Sequence, residues 1–168
     1  AVKIFQFMKV PTARFGEHRA FEQLEAFRPA PDRPKPDSAP SGGSEDTQCR
    51  AWGPMIEGLG DGFSWKSQDL ERSAQLARDG WEKARAAILS GEYFLVVLDE
   101  ITYPLIYGWL PLQDVLDTLA RRPKDVHVCL TGRRCPQEII DVADTVTEMK
   151  MIKHAFEQGI PAQRGIED

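Results

Sequence analysis

Apolar residues along the chain fall into two patterns, short unbroken runs and longer stretches at helical spacing. Val2, Ile4, Phe5, Phe7 and Met8 form the first run, as expected of a strand buried on both faces of a parallel sheet. Between Gly16 and Phe27, Phe21, Leu24 and Phe27 stand three apart, which predicts a helix. The clearest element follows: Leu70, Ala74, Ala77, Trp81, Ala84 and Ile88 step alternately by four and three and share one helical stripe. Ser67 is its candidate N-cap, Asp69 and Glu71 suit the positive end of the helix dipole, and Gly91 suits its C-terminal stop. Tyr93 to Leu98 reads as a buried strand ending at Asp99-Glu100. Leu112 to Arg121 predicts a helix with Pro111 in its first turn. Val126 to Leu130 is another buried strand, ending at Thr131-Gly132-Arg133-Arg134. Ile139 to Ala143 sits in a further helix, and Thr145 to Met149 reads as the last strand. Strands alternating with helices of about ten or more residues predict an α/β domain with a mainly parallel sheet.

From Arg28 the periodicity stops. Pro29, Pro31, Pro34, Pro36 and Pro40 lead into Ser41-Gly42-Gly43-Ser44, a composition that forbids helix and favours flexibility. With 168 residues, the size of one ordinary domain, the chain reads as a single domain, 1–168, carrying a mobile insertion at about 28–51.

Composition narrows the class. Hydrophobic residues make up 42% and charged residues 28%, the balance of a soluble globular protein and not of a disordered one. The longest apolar run, Tyr93 to Leu98, is too short to cross a bilayer, and no signal peptide is visible, so no membrane partner is expected. A net charge of -5 argues against a nucleic-acid-coating surface while leaving room for a local basic pocket. Cys49, Cys129 and Cys135 are odd in number and lack CxxC spacing, so neither a disulfide framework nor a zinc knuckle fits, and a cytoplasmic location is expected. Cys129 reads as a core residue and Cys135 as a buried structural thiol. The chain opens inside a strand with no initiator methionine, which predicts a preceding segment.

In parallel sheets ligands bind beyond the carboxyl ends of the strands, where Asp99-Glu100 and Thr131-Gly132-Arg133-Arg134 lie. An apolar strand ending in two carboxylates suits a magnesium and phosphate site, since a hard cation needs fixed oxygens. The alternative is that Asp99 caps a turn. A phosphate-cradling G-x-x-x-x-G-K-[ST] loop is absent: in Gly60-Asp61-Gly62-Phe63-Ser64-Trp65-Lys66-Ser67 an indole occupies the place that needs glycine. That segment instead projects two aromatics from a flexible loop. It is either pinned to the core by Phe63 and Trp65 or a lid that stacks on a large flat ligand and excludes water.

Taken in order, these stretches resemble the ATP:corrinoid adenosyltransferases of the RecA-like, P-loop type. Val2 to Lys9 resembles the family's V-x-x-Q-F-x-K strand, with Gly16-Glu17 after it, and Gly62-Phe63-Ser64-Trp65 its G-F-T-W loop. Leu98-Asp99-Glu100-Ile101-Thr102-Tyr103 resembles L-D-E-x-x-Y, and Gly108-Trp109-Leu110-Pro111-Leu112 is similar to Y-L-P-L. Leu130 to Cys135 resembles T-G-R-x-C, Ala143 to Glu148 resembles A-D-x-V-[ST]-E, and the tail from Lys153 to Glu167 is similar to the family's ending. The family's first strand and G-N-G-K-G-K-[ST]-[ST] loop would precede residue 1, so the expected fold is a RecA-like three-layer sandwich lacking that strand and loop.

The resemblance implies transfer of the 5′-deoxyadenosyl group of ATP to the cobalt of a reduced corrinoid, with release of triphosphate. The corrinoid's Co(I) is then the nucleophile, so no protein nucleophile is required. Glu100, with Asp99 beside it, matches the metal site for magnesium or manganese. Phe63 and Trp65 match an aromatic pair that displaces the corrinoid's lower axial ligand and so eases reduction. Arg133 and Arg134 are candidates for phosphate oxygens or for structural capping of the strand end, and His154 has no assigned role. A flavoprotein electron donor and a homodimer are further implications. Two other classes stay open: a binding module that holds a corrinoid or nucleotide without turnover, and a different RecA-like ATPase, which leaves the Gly62-Phe63-Ser64-Trp65 loop unexplained.

Overall fold

In the computed structural model the described residues are 1–9, 20, 23, 56–60 and 70–161. Four strands, β1 (Val2–Gln6), β2 (Ile56–Gly58), β3 (Leu95–Asp99) and β4 (His127–Leu130), form one sheet in the order β2-β1-β3-β4. Every pairing is parallel. The described helices are α1 (Leu70–Ser90), α2 (Thr102–Ile106), α3 (Leu112–Arg121) and α4 (Gln137–Val142), followed by a 3₁₀ turn at Ala155–Gln158. Parallel neighbours cannot be joined by a tight turn, and β3 reaches β4 through the helical crossover α2–α3. The expected α/β class with a parallel sheet is therefore present.

Strand alternation decides which face carries the core. Lys3 pairs in register with Val96 and Phe5 with Leu98, so Phe5, Val96 and Leu98 share one face and meet Trp81, Ala84 and Ile88 of α1 and Val115 of α3. The opposite-facing Val2, Ile4, Leu95 and Val97 are half-buried. The helical stripe of α1 is observed at Ala74, Ala77, Trp81, Ala84 and Ile88, all buried. Leu70 departs from it, at 60% exposure. Periodicity fixes the side of a helix on which a residue lies, not how far along the axis the core extends. The helix ends where expected, with Gly91 in the left-handed region at φ 72°. Trp81 donates its indole N–H to Asp114 Oδ2 at 2.6 Å, tying α1 to the first turn of α3.

Four expectations need correction. Thr145 to Met149 forms no strand: the stretch is exposed throughout, with Met149 93% exposed, and pairs with no strand among the described residues. A strand requires a neighbour for its backbone groups, which apolar alternation alone does not supply. Cys129 is exposed rather than in the core, because β4 has a neighbour only on the β3 side among the described strands and turns His127 and Cys129 outward. Cys135 is also exposed, and local desolvation raises its thiol pKa, opposite to what a reactive thiolate needs. The strand starts shift by one or two residues, to Leu95 and His127. Nearly all of the expected helix at 16–27, the insertion at 28–51, Cys49, Ser67 and the loop residues Phe63 and Trp65 lie outside the described residues.

Candidate functional site

Because all four strands run parallel, their carboxyl ends lie along one edge, and the sheet order sets β3 between β1 and β4. The three polar residues that end these strands meet there. Asp99, the last residue of β3, accepts from Gln6 Nε2 of β1 at 3.2 Å through Oδ2. Its other oxygen, Oδ1, accepts from Thr131 Oγ1 at 2.8 Å, from the residue just after β4. The Thr131 hydroxyl in turn accepts from the backbone N–H of Glu100 at 3.0 Å. Backbone bonds brace the same point: Phe7 N–H donates to the Asp99 carbonyl at 3.0 Å and Thr131 N–H to the Leu98 carbonyl at 3.0 Å.

Glu100 differs from its neighbour. Its backbone is left-handed, φ 60°, a conformation that costs a non-glycine residue free energy and recurs at ligand sites. Its Oε2 is buried and has no hydrogen-bond partner among the described residues. Burial and the adjacent Asp99 charge push the Glu100 carboxyl above its ordinary pKa, while the charges of Arg133 and Lys9 partly offset them. A buried carboxylate oxygen without a donor is costly unless a cation or ligand group meets it. Thr102 Oγ1, at the start of α2, is likewise buried and without a hydrogen-bond partner among the described residues.

This geometry fits a hard divalent cation. No group of three or more His, Cys, Asp or Glu side chains suited to a metal occurs among the described residues. Magnesium needs no such cage, since it is commonly held by one or two carboxylates with phosphate and water completing the shell. Glu100 has an oxygen without a partner among the described residues for that purpose, whereas each oxygen of Asp99 already accepts one hydrogen bond.

The structure thus brings Asp99, Glu100 and Arg133 together, Arg133 acting on Glu100 through its charge. Arg134 follows it, exposed and left-handed at φ 52°. His154 caps the 3₁₀ turn through Nδ1, which accepts from Phe156 N–H at 3.1 Å, so its role here is structural. Sequence reasoning placed Thr131 at the ligand edge without giving it a role, and missed Gln6 and Lys9 as parts of the site. The signal was available: in a parallel sheet a polar residue ending an apolar strand points to the ligand edge, and both Gln6 and Thr131 fit that description. A separate cavity of about 430 Å³ lies among Lys3, Phe5, Glu57, Lys83 and Tyr93, and none of the described candidate residues is among those lining it.

A family model described as ATP:corrinoid adenosyltransferase BtuR/CobO/CobP matches residues 1–167. The chain belongs to this family. Among curated proteins it is similar to the corrinoid adenosyltransferase of Escherichia coli K12, 38% identical over 109 residues, which is 65% of this chain and 56% of that protein. It is 44% identical over 110 residues to the Sinorhizobium sp. corrinoid adenosyltransferase, 65% of this chain and 51% of the relative. For the Pseudomonas aeruginosa corrinoid adenosyltransferase the figures are 43% over 109 residues, 65% and 54%. The chain spans about half the length of the curated relatives it matches. No described helix is long and apolar enough to cross a membrane.

Proposed function

We propose that this protein transfers the 5′-deoxyadenosyl group of ATP to the cobalt of a reduced corrinoid and releases triphosphate. The observation that carries the reading is the match of the adenosyltransferase family model along residues 1–167. The buried Glu100 oxygen at the ligand edge of the sheet, without a partner among the described residues, supports it.

In this reading Glu100 holds a magnesium or manganese ion. When bound, that ion neutralises charge on the triphosphate that leaves. Arg133 and Arg134, beyond the end of β4, face phosphate oxygens and hold the nucleotide so that its ribose carbon is presented to the corrinoid. Phe63 and Trp65 are assigned to the corrinoid on their place in the Gly62-Phe63-Ser64-Trp65 pattern, where their apolar surfaces take the place of the lower axial ligand and exclude water. The nucleophile is the corrinoid, so the chain needs no Ser, Cys or His for bond formation, in keeping with the raised thiol of Cys135. A flavoprotein electron donor, a homodimeric assembly, a cytoplasmic location and one domain with an insertion at 28–51 belong to the same proposal.

The test is anaerobic incubation of the protein with ATP, magnesium and chemically reduced corrinoid, followed by visible spectroscopy. The expected result is a cobalt–carbon product that light destroys. A spectrum that returns to the unalkylated corrinoid on admitting air, with no light-sensitive fraction, contradicts the proposal.

A further inference from the structure

The hydroxyl of Thr131 makes two bonds of opposite sense, donating to Asp99 Oδ1 at 2.8 Å and accepting from Glu100 N–H at 3.0 Å. The remaining Asp99 oxygen accepts from Gln6 at 3.2 Å. Asp99 therefore spans from β1 to β4 with each carboxylate oxygen accepting one hydrogen bond, while the next residue turns left-handed and has a buried oxygen without a partner among the described residues. The two adjacent carboxylates are chemically alike, so their difference comes from what holds them.

The geometry points to Thr131 as a positioning residue that separates the roles of this pair: its hydroxyl locks Asp99 as a strut across three strands and fixes Glu100 in the left-handed turn that presents its carboxylate to a cation. This inference rests on the reading that Glu100 holds the nucleotide's divalent cation. It departs from the simpler expectation that Asp99 and Glu100 both coordinate. A hydroxyl is required because it must donate to a carboxylate and accept from an amide at once, which neither valine nor alanine can do. Residues that orient a metal ligand in this way typically govern metal affinity by about 10–100-fold.

The experiment measures Mn²⁺ binding in the presence of ATP by electron paramagnetic resonance, together with amide hydrogen exchange across residues 98–103. The proteins are the full chain and its Thr131→Val, Thr131→Ser, Asp99→Asn and Glu100→Gln variants. Thr131→Val is expected to weaken Mn²⁺ binding about tenfold or more and to speed exchange of the Glu100 amide, and Thr131→Ser to restore both. Asp99→Asn, which keeps an acceptor for the Thr131 hydroxyl, is expected to bind Mn²⁺ within a few-fold of the parent, whereas Glu100→Gln loses binding. If Thr131→Val binds Mn²⁺ like the parent while Glu100→Gln does not, the positioning role is overturned and the Glu100 reading stands. Equal loss in Asp99→Asn and Glu100→Gln overturns the division of roles. If the parent protein itself binds no Mn²⁺, the Glu100 reading fails. Amide exchange then decides the Thr131 contact alone: an unchanged Glu100 rate in Thr131→Val overturns it, and a faster rate rescued by serine supports it.

Discussion

Gly132 sits directly against Thr102: a β-carbon built on Gly132 would fall 1.9 Å from Thr102 Oγ1. With φ at 145°, Gly132 also holds a backbone conformation that side chains resist. The contact joins the turn after β4 to the start of α2, immediately beside Glu100 and Thr131. Gly132→Ala must therefore push α2 or the β4 turn aside. We expect a loss of about 1–3 kcal/mol in stability, read by denaturant unfolding, and a larger loss of nucleotide binding than that destabilisation accounts for. Unchanged ATP affinity in a folded Gly132→Ala protein contradicts this.

Trp81 is the largest fully buried side chain among the described residues, at 2% exposure. It fills the space between α1 and the sheet, and its N–H holds Asp114 at the start of α3. Trp81→Ala is expected to cost about 3–5 kcal/mol. Trp81→Phe keeps most of the apolar contact and should cost less, the remainder reflecting the Asp114 acceptor left to Arg85, whose Nη1 lies 3.5 Å from Oδ1. Chemical denaturation of the two variants measures both.

Glu57 gives a pH dependence with a definite sign. Burial works to raise its pKa, but the hydrogen bond from Lys83 and the charges of Lys3 and Lys83 outweigh it, so the carboxyl stands below its ordinary 4.5. Its ion pairs therefore stabilise the fold above about pH 4.5, and that stability is lost as pH falls through the lowered value. Glu57→Gln leaves Lys3, which is 3.4 Å from Glu57 and has a side chain only 9% exposed, without that carboxylate. The variant should be less stable by about 1–3 kcal/mol at neutral pH, with the gap closing as pH falls through the lowered Glu57 value. A gap that persists at low pH shows a packing effect instead.

Glu100 behaves in the opposite direction. Its folded pKa lies above 4.5 because of burial and Asp99, so its contribution is full below about pH 4.5 and is lost as pH rises through the raised value. In the absence of nucleotide and metal, Glu100→Gln should be the more stable protein at pH 7, by about 1 kcal/mol or a Tm rise of about 2–4 °C. Saturating magnesium and ATP should erase or reverse that advantage, since only the parent retains the carboxylate that binds the ion. Melting curves at pH 4.5 and 7, with and without magnesium-ATP, test both parts.

What was legible in the sequence followed from local periodicity. The stripe from Ala74 to Ile88 marks a helix because one long segment carries its own 3.6-residue period, and Gly91 marks its end by its own backbone freedom. The acidic end of β3 stood out because two carboxylates follow an apolar run. Features set by distant partners were harder to read. The exposure of Cys129 and the failure of Thr145 to Met149 to pair depend on which strands neighbour them, and no short window contains that. The same holds for the site: Gln6 and Asp99 are 93 residues apart and Asp99 and Thr131 are 32 apart, and only the order β2-β1-β3-β4 brings them together.

The proposed reaction transfers the adenosyl group of ATP and releases its triphosphate intact, and phosphorus NMR of the anaerobic reaction reads that product. The proposed transfer predicts triphosphate in a one-to-one ratio with alkylated corrinoid, no orthophosphate or ADP in excess, and no free triphosphate when the corrinoid is omitted. Orthophosphate and ADP released at the same rate with and without corrinoid would contradict it and mark the protein as a nucleotide hydrolase.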